Sequence, residues 1–88
     1  MDIKLNYSDL CAIATQVHNK DFVRESAFKA SVSVFLYGIR FIVYGYYYDD
    51  NSFEASYIVC KPKRYEMDCE YDERTFRSAF VYHNVDVA

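Results

Sequence analysis

The chain has 88 residues, of which 52% are apolar and 26% charged, so it has the composition of one folded domain spanning residues 1–88 and not of a disordered chain. Its net charge is −3, and residues 45–88 carry five Lys or Arg against nine Asp or Glu, which disfavours direct binding of nucleic acid. No apolar run approaches the roughly 20 residues of a membrane span, and residues 1–4 lack the order of a signal peptide, so we expect a cytoplasmic protein without a membrane partner.

The first element in chain order is a helix, predicted from about Tyr7 to His18. Asn6 occupies the N-cap position, Asp9 the third helical position, and Leu5 and Leu10 the positions of a hydrophobic staple. A loop over residues 21–27 is expected to lead into the first strand. Apolar residues at helical spacing predict the inner side of the helix: Leu10, Ile13, Ala14 and Val17.

Two strands with an apolar residue at every second position follow, between residues 28 and 44. A two-residue loop of Tyr37 and Gly38 brings their apolar residues onto one face of the sheet, which we call the inner face. A type I′ turn at this loop requires a positive φ at Tyr37, which is strained for a tyrosine. The predicted pairs are Leu36 with Ile39, Val34 with Phe41 and Val32 with Val43.

The third and fourth strands are predicted from Phe53 to Lys61 and from Tyr65 to Tyr71. A loop centred on Asp50 and a three-residue loop that begins at Pro62 connect them. The predicted pairs are Tyr47 with Phe53, Val43 with Tyr57 and Val59 with Met67. This register places Phe53, Ala55, Tyr57 and Val59 on the inner face, and Glu54, Ser56, Ile58 and Cys60 on the opposite, outer face.

A second helix is predicted from about Glu73 to Tyr82, with Asp72 as its cap and Phe76, Ala79 and Phe80 on its inner side. The competing interpretation is a fifth strand over residues 75–81. Residues 84–88 are expected to form a loose tail or a short edge strand. The sequence therefore predicts an α+β fold, in which a four-stranded antiparallel meander sheet is flanked by an N-terminal and a C-terminal helix (α-β-β-β-β-α).

If both helices pack on the inner face, large apolar residues are left on the outer face: Phe35, Ile42, Tyr44, Tyr46, Tyr48 and Ile58. Tyrosines are enriched in protein interfaces, because they combine apolar area with a hydrogen-bonding tip. We therefore predict Tyr44, Tyr46 and Tyr48 as anchors for a protein partner. The alternative is that the second helix crosses to this side and covers part of it.

Carboxylates border the outer face. They are Glu54 and the acidic row, which consists of Glu66, Asp68, Glu70 and Asp72. Side chains two apart on a strand lie about 6.7 Å apart, close to twice the 3.4 Å rise per nucleotide of a DNA strand. The acidic row could therefore occupy a basic cleft built for phosphates, and Glu54 is predicted to bind the partner with it. The alternative is that an outer strand carries charges to prevent edge pairing.

No motif for catalysis or cofactor binding is present. With only Gly38 and Gly45 available, the chain lacks a phosphate-binding loop, and neither His18 nor His83 belongs to a nucleophile motif. Three cysteines without a Cys-x-x-Cys pair are typical of reduced thiols and not of a disulfide framework. Cys11 and His18 stand too far apart along the first helix for these two residues alone to bind one zinc ion. We expect a non-enzymatic protein without a metal or cofactor, the remaining alternative being a small metal-binding protein or hydrolase.

The order of helix, antiparallel strands and helix resembles the double-stranded-RNA-binding domain in topology. Asp72-Glu73-Arg74 stands where that family has basic residues, so RNA binding is not implied. Small size and an acidic, tyrosine-rich face are similar in kind to phage-encoded inhibitors of host defence, anti-CRISPR proteins among them. The prediction is a binding protein that blocks the basic cleft of a nucleic-acid-handling partner; the alternative is a module that forms a homodimer through its tyrosine face.

Overall fold

The computed structural model describes residues 3–88 as two helices and one six-stranded sheet, in which β1 to β5 are antiparallel. The sheet order is β1-β2-β3-β4-β5, and β6 joins β4 in parallel. The predicted α+β fold is confirmed, with six strands instead of four, and neither helix is long and apolar enough to cross a membrane. The elements are α1 (Tyr7–His18), β1 (Val23–Arg24), β2 (Lys29–Leu36), β3 (Ile39–Tyr47), β4 (Phe53–Cys60), β5 (Met67–Asp68), α2 (Glu73–Tyr82) and β6 (Asp86–Val87).

Both helices begin and end at the predicted residues, because each carries its own cap. The Asn6 side chain accepts a hydrogen bond from the Asp9 N–H at 2.8 Å, and the Asp9 carboxylate accepts one from the Asn6 N–H at 3.0 Å. At α2 the Asp72 carboxylate accepts from the Thr75 N–H at 2.9 Å. The competing strand over residues 75–81 is therefore wrong.

The core lies between the two helices and the inner face of the sheet. α1 and α2 pack against each other, and the predicted inner residues of both are buried in one cluster with the inner residues of the sheet. The interpretation in which α2 covers the outer face is therefore wrong. The largest fully buried side chains are Phe41, Phe76, Phe80, Leu10, Ile13, Val32, Val34, Val43 and Cys60.

The β2–β3 hairpin has the predicted register, with Val32 opposite Val43. Tyr37 and Gly38 both have positive φ, 54° and 71°, as a type I′ turn requires. The Tyr37 hydroxyl donates a hydrogen bond to the buried Asp9 carboxylate at the start of α1. The strained turn residue therefore connects the hairpin to the first helix.

A β-bulge between β3 and β4 changes which residues of β4 face the core. The ladder has the predicted register at the end of β3, where Tyr47 lies opposite Phe53. Between Gly45 and Tyr44 the register shifts by one residue. Ser56 is the extra residue on β4. A Cβ atom at Gly45 would lie 2.0 Å from the carbonyl oxygen of Glu54, so only glycine allows the strands to approach this closely.

The bulge reverses the predicted faces of β4 beyond Ser56. Ile58, predicted on the outer face, is 3% exposed and lies opposite Val43, so the predicted pair of Val43 with Tyr57 is wrong. Tyr57, predicted to point inward, lies opposite Tyr44 and is 48% exposed. The corrected faces are Phe53, Ala55, Ile58 and Cys60 inside, and Glu54, Tyr57 and Val59 outside.

The predicted strand from Tyr65 to Tyr71 is much shorter in the structure. Only the two residues of β5 are strand, and Met67 lies opposite Cys60, so the predicted pairing with Val59 is wrong. Beyond β5, Glu70 forms an isolated parallel bridge with the segment that precedes α1. The ladder with β4 ends here, because the Glu70 N–H donates to the Ile3 carbonyl oxygen and the Glu70 carbonyl oxygen accepts from the Leu5 N–H.

Candidate functional site

The outer face of the sheet is not covered by either helix, and aromatic side chains occupy its centre. The rings of Tyr44 and Tyr57 stack with their centroids 5.3 Å apart. Ile42 also belongs to this face but is only 6% exposed, because its neighbours cover it. Phe35 and Tyr46 are exposed around this cluster. The predicted aromatic outer face is present, with Tyr57 in place of Ile58.

The three predicted anchor tyrosines lie on or beside this face. Tyr44 and Tyr46 are two apart on β3, and Tyr46 lies opposite Glu54. The Tyr48 hydroxyl donates a hydrogen bond to the Glu54 carboxylate at 2.8 Å. Sequence reasoning missed Tyr57, although an isolated glycine inside a strand pattern, here Gly45, is a known signal of a bulge.

Tyrosine hydroxyls hold two carboxylates in place on the outer face. The Tyr44 hydroxyl donates to the Glu66 carboxylate, as the Tyr48 hydroxyl does to Glu54. The hydrogen bond to Glu66 stabilises the neutral phenol and, with burial, raises the pKa of Tyr44 to about 12. The bond to Glu54 likewise raises the pKa of Tyr48. A neutral phenol positions a carboxylate without cancelling its charge.

We expect Tyr44 to remain neutral until about pH 12 in the folded protein, whereas an ordinary tyrosine ionises near pH 10. The bond between Tyr44 and Glu66 thus contributes its full stability below pH 10, and this contribution is lost as the pH rises from 10 to 12. NMR titration of ¹³C-labelled tyrosine rings, with Tyr44 assigned through Tyr44→Phe, measures this pKa. Glu66→Gln should move it back towards 10; a wild-type Tyr44 that titrates near 10 would contradict the contact.

The acidic row does not run along one strand, so that part of the prediction is wrong. Glu66 reaches the outer face through Tyr44, and Asp68 lies opposite the outward-facing Val59. The Glu70 carboxylate instead lies 3.7 Å from the Lys4 Nζ. Asp72 caps α2, and its hydrogen bonds with Thr75 lower the pKa of its carboxyl group. The four carboxylates of the acidic row therefore do not have the regular spacing that was predicted to imitate the phosphates of a DNA strand.

A different set of carboxylates borders the outer face on the side of β4. Asp86 of β6 pairs with Glu54, so the two share a face of the sheet. Among residues 3–88, the salt bridges are Lys4–Glu70 and Arg77–Glu73, and neither includes a carboxylate of this set. Sequence reasoning missed Asp86 because the C-terminal tail showed no clear pattern. We call this set the acidic flank: Glu54, Glu66, Asp68 and Asp86.

Cations lie on the other side of the outer face. Lys29 at the start of β2 pairs with Tyr46, and Arg40 at the start of β3 pairs with Phe35. The Arg40 Nε donates a hydrogen bond to the Ser33 Oγ at 2.7 Å. The Glu25 carboxylate lies near these cations, since it accepts a hydrogen bond from the Ser31 Oγ at 2.6 Å and Ser31 lies opposite Tyr44. The outer face therefore has carboxylates along the β4 side, an aromatic centre, and cations together with one carboxylate across β2 and β3.

β2 and β4 carry hydrogen bonds where their short partner strands leave the edge unpaired. The Gln16 carboxamide donates to the Phe35 carbonyl oxygen at 2.6 Å and accepts from the Phe35 N–H at 3.0 Å, in the manner of a neighbouring strand. On β4 the Ile58 N–H donates to the Tyr71 hydroxyl at 3.0 Å. Occupied edges oppose the addition of a foreign strand. The outer face is therefore a better candidate than the edges for binding a partner.

The cysteine and histidine side chains form no further cluster in the described part of the chain. No group of three or more His, Cys, Asp or Glu residues between positions 3 and 88 is placed to hold a metal ion. Cys11, Cys60 and Cys69 are free, and burial raises the pKa of the Cys69 thiol to about 11. His83 lies near Thr15, with 3.4 Å between the Nδ1 and Oγ1 atoms.

No protein-family model, no curated protein and no solved structure matches this chain. The geometry of the outer face is therefore the only basis for proposing a function.

Proposed function

We propose that this chain is a non-enzymatic binding protein, which docks its outer face on the basic cleft of a nucleic-acid-handling protein and thereby blocks it. The observation that carries this proposal is that Glu54 and Glu66 are fixed by tyrosine hydroxyls, and that no salt bridge within residues 3–88 neutralises the acidic flank. A partner's arginine and lysine side chains can therefore pair with these carboxylates.

The tyrosines have two roles in this proposal. Tyr44 and Tyr48 hold carboxylates in position before a partner arrives, which reduces the entropy lost on binding. Tyr57 and Tyr46, with exposures of 48% and 38%, supply the aromatic contact area typical of interface centres. Charge then accelerates encounter with a basic partner, and the aromatic centre slows dissociation.

The proposal retains the class of phage-type anti-defence inhibitors, such as anti-CRISPR proteins, as an analogy of size and surface. It no longer depends on the regular spacing of the acidic row. Of that row, Glu66 and Asp68 remain as partner-binding candidates on the outer face, and Glu70 and Asp72 have local roles near the N-terminal segment and at the cap of α2.

Displacement of a fluorescent DNA duplex from a basic nuclease, such as a CRISPR effector, tests the proposal. We expect wild-type protein to displace the duplex, and neutralising the acidic flank to weaken this about tenfold, with steep dependence on salt. The flank variant replaces three of the four carboxylates with amides of the same shape and leaves Asp86 unchanged: Glu54→Gln, Glu66→Gln and Asp68→Asn. The control removes three charges elsewhere: Asp21→Asn, Glu70→Gln and Glu73→Gln.

If the flank variant and the control lost inhibition to the same extent, net charge and not the outer face would determine binding. If the wild-type protein displaced the duplex from none of a panel of basic nucleases, the proposal would lose its basis.

A homodimer is the second candidate, favoured by the distribution of charge on the outer face. A second copy, turned about a two-fold axis parallel to the strands, would place Lys29 of each copy over Glu54 of the other, because both residues flank Tyr46. Arg40 lies on the central strand, close to this axis. We expect light scattering across a dilution series to show a dimer that the double variant Lys29→Glu, Arg40→Glu dissociates. A monomer at every concentration would exclude this candidate.

A further inference from the structure

A pocket of about 550 Å³ opens at the end of the sheet where β2 begins and β3 ends. Four of its six lining residues are aromatic and one is a carboxylate. Neither Phe28 nor Asp49 has a role in the partner-binding face described above. The lining residues are Ala27, Phe28, Tyr46, Tyr47, Tyr48 and Asp49.

Hydrogen bonds fix the two sides of this aromatic pocket. The Tyr47 N–H donates to the Phe28 carbonyl oxygen at 3.1 Å, and the Tyr47 hydroxyl donates to the Ser26 carbonyl oxygen at 2.9 Å. The segment before β2 is thus held against the end of β3. On the other side, the Tyr48 hydroxyl is held by Glu54. The pocket is therefore formed before any ligand binds, which is typical of binding sites.

The aromatic side chains of the pocket contribute little to the core. Phe28 is 73% exposed and Tyr48 is 49% exposed, and neither belongs to the core cluster. A phenylalanine this exposed gains little from folding, because most of its surface stays in water. Its ring is therefore available for contact with a ligand.

The chemistry of the lining selects a cation. Aromatic faces attract cations through their quadrupole, and a nearby carboxylate adds a full negative charge, which also repels anions. The Tyr47 ring already has partners, since the Arg24 guanidinium lies 4.8 Å and the Phe22 ring centroid 5.6 Å from its centroid. The rings of Phe28, Tyr46 and Tyr48 are therefore the ones available to a ligand cation. Glu54 accepts a hydrogen bond from the Tyr48 hydroxyl and so adds a second carboxylate next to a lining residue of the pocket.

We propose that the aromatic pocket binds an organic cation, and that in the complex it takes an arginine or lysine side chain of the basic partner. The assignment of a partner's arginine or lysine to the pocket rests on the proposed function. It specifies which kind of side chain binds at this end of the interface. The first part concerns the pocket alone and can be tested without a partner.

Titration with choline, followed by NMR of ¹³C-labelled phenylalanine and tyrosine rings, tests the pocket. We expect saturable shifts of the Phe28, Tyr46 and Tyr48 signals. The neutral isostere 3,3-dimethylbutan-1-ol should bind at least about fivefold more weakly, since it lacks the charge. Titrations with N-acetyl-arginine methylamide and N-acetyl-lysine methylamide show which side chain the pocket prefers. Absence of saturable shifts, or equal binding of the neutral isostere, would overturn the proposal.

Substitutions locate the binding of choline. Phe28→Leu and Asp49→Asn are each expected to weaken it about two- to fivefold, because each removes one attraction for the cation. Tyr65→Leu is the control, since Tyr65 is 57% exposed and lies outside the pocket. An equal effect of the control would overturn the assignment to this pocket.

The same variants separate this inference from the proposed function. If Phe28→Leu weakens choline binding and also weakens displacement of DNA from the nuclease, both parts of the inference are supported. If choline binds but Phe28→Leu leaves the displacement unchanged, the role of the pocket in the complex is overturned. If displacement requires the acidic flank but choline does not bind, the pocket inference fails and the proposed function stands.

Discussion

Replacing Gly45 with alanine should destabilise the protein by about 3 kcal/mol or more, among the largest effects expected of any single substitution. The added Cβ would lie 2.0 Å from the Glu54 carbonyl oxygen and 2.9 Å from the Glu54 carbonyl carbon. Because these atoms belong to the backbone, relief requires β3 and β4 to separate at the bulge. Urea denaturation of the variant and the wild type measures the change in the free energy of unfolding.

Gly38→Ala is the matched control for this substitution. Gly38 has a φ of 71°, and a Cβ there meets no atom within 4 Å, so the expected loss is about 1 kcal/mol from backbone strain alone. Equal losses at the two glycines would mean that β3 and β4 do not approach closely at Gly45. The bulge, and with it the outward position of Tyr57, would then be in doubt.

Phe80→Ala is expected to reduce the free energy of unfolding by about 3 to 5 kcal/mol. Phe80 is fully buried, and its ring centroid lies 4.6 Å from that of Phe76, so truncation leaves a cavity between the helices and the sheet. Chemical denaturation followed by circular dichroism gives the magnitude. Loss of this side chain should affect both helices together, since α1 and α2 share the core.

Tyr82→Ala serves as the control on the same helix. Tyr82 is 74% exposed, and its replacement should change the stability by no more than about 0.5 kcal/mol. A large loss for Tyr82→Ala together with a small one for Phe80→Ala would indicate that the opposite side of α2 faces the core. The outer face of the sheet would then no longer be the uncovered surface.

The aromatic centre of the candidate site could be predicted from the period-two pattern, and the one error there depends on a single glycine, Gly45. Tyr44 and Tyr46 lie outward as predicted, because the β2–β3 register follows from the two-residue turn at Tyr37 and Gly38. In the part of β4 after Ser56, the alternation of residues is compatible with either face pointing inward. Tyr57 and Val59 form one apolar set, and Ile58 and Cys60 form the other. The bulge places Ile58 in the core and Tyr57 on the outer face.

The acidic row failed for a related reason. Strict alternation of Glu66, Asp68 and Glu70 with apolar residues satisfies the pattern of a strand, but a strand also needs a partner along its whole length. β5 has this partner for only two residues, after which Glu70 bonds to the N-terminal segment and Asp72 to α2. Alternation alone does not reveal where a partner strand ends.

The features that act over a few neighbouring residues could be predicted before folding is considered: the limits of both helices, their caps, the type I′ turn and the inner residues of β2 and β3. These depend on hydrogen bonds and side-chain spacing within one element or one turn. Other features became apparent only once the chain was folded: the register of β4 beyond the bulge, the short pairing of β5, the place of β6 and the residues of the acidic flank. These depend on the close approach of backbones at Gly45 and on the competition of distant segments for the edge of β4. The isolated Gly45 signals a bulge, but the local pattern does not specify which residue of β4 is left unpaired.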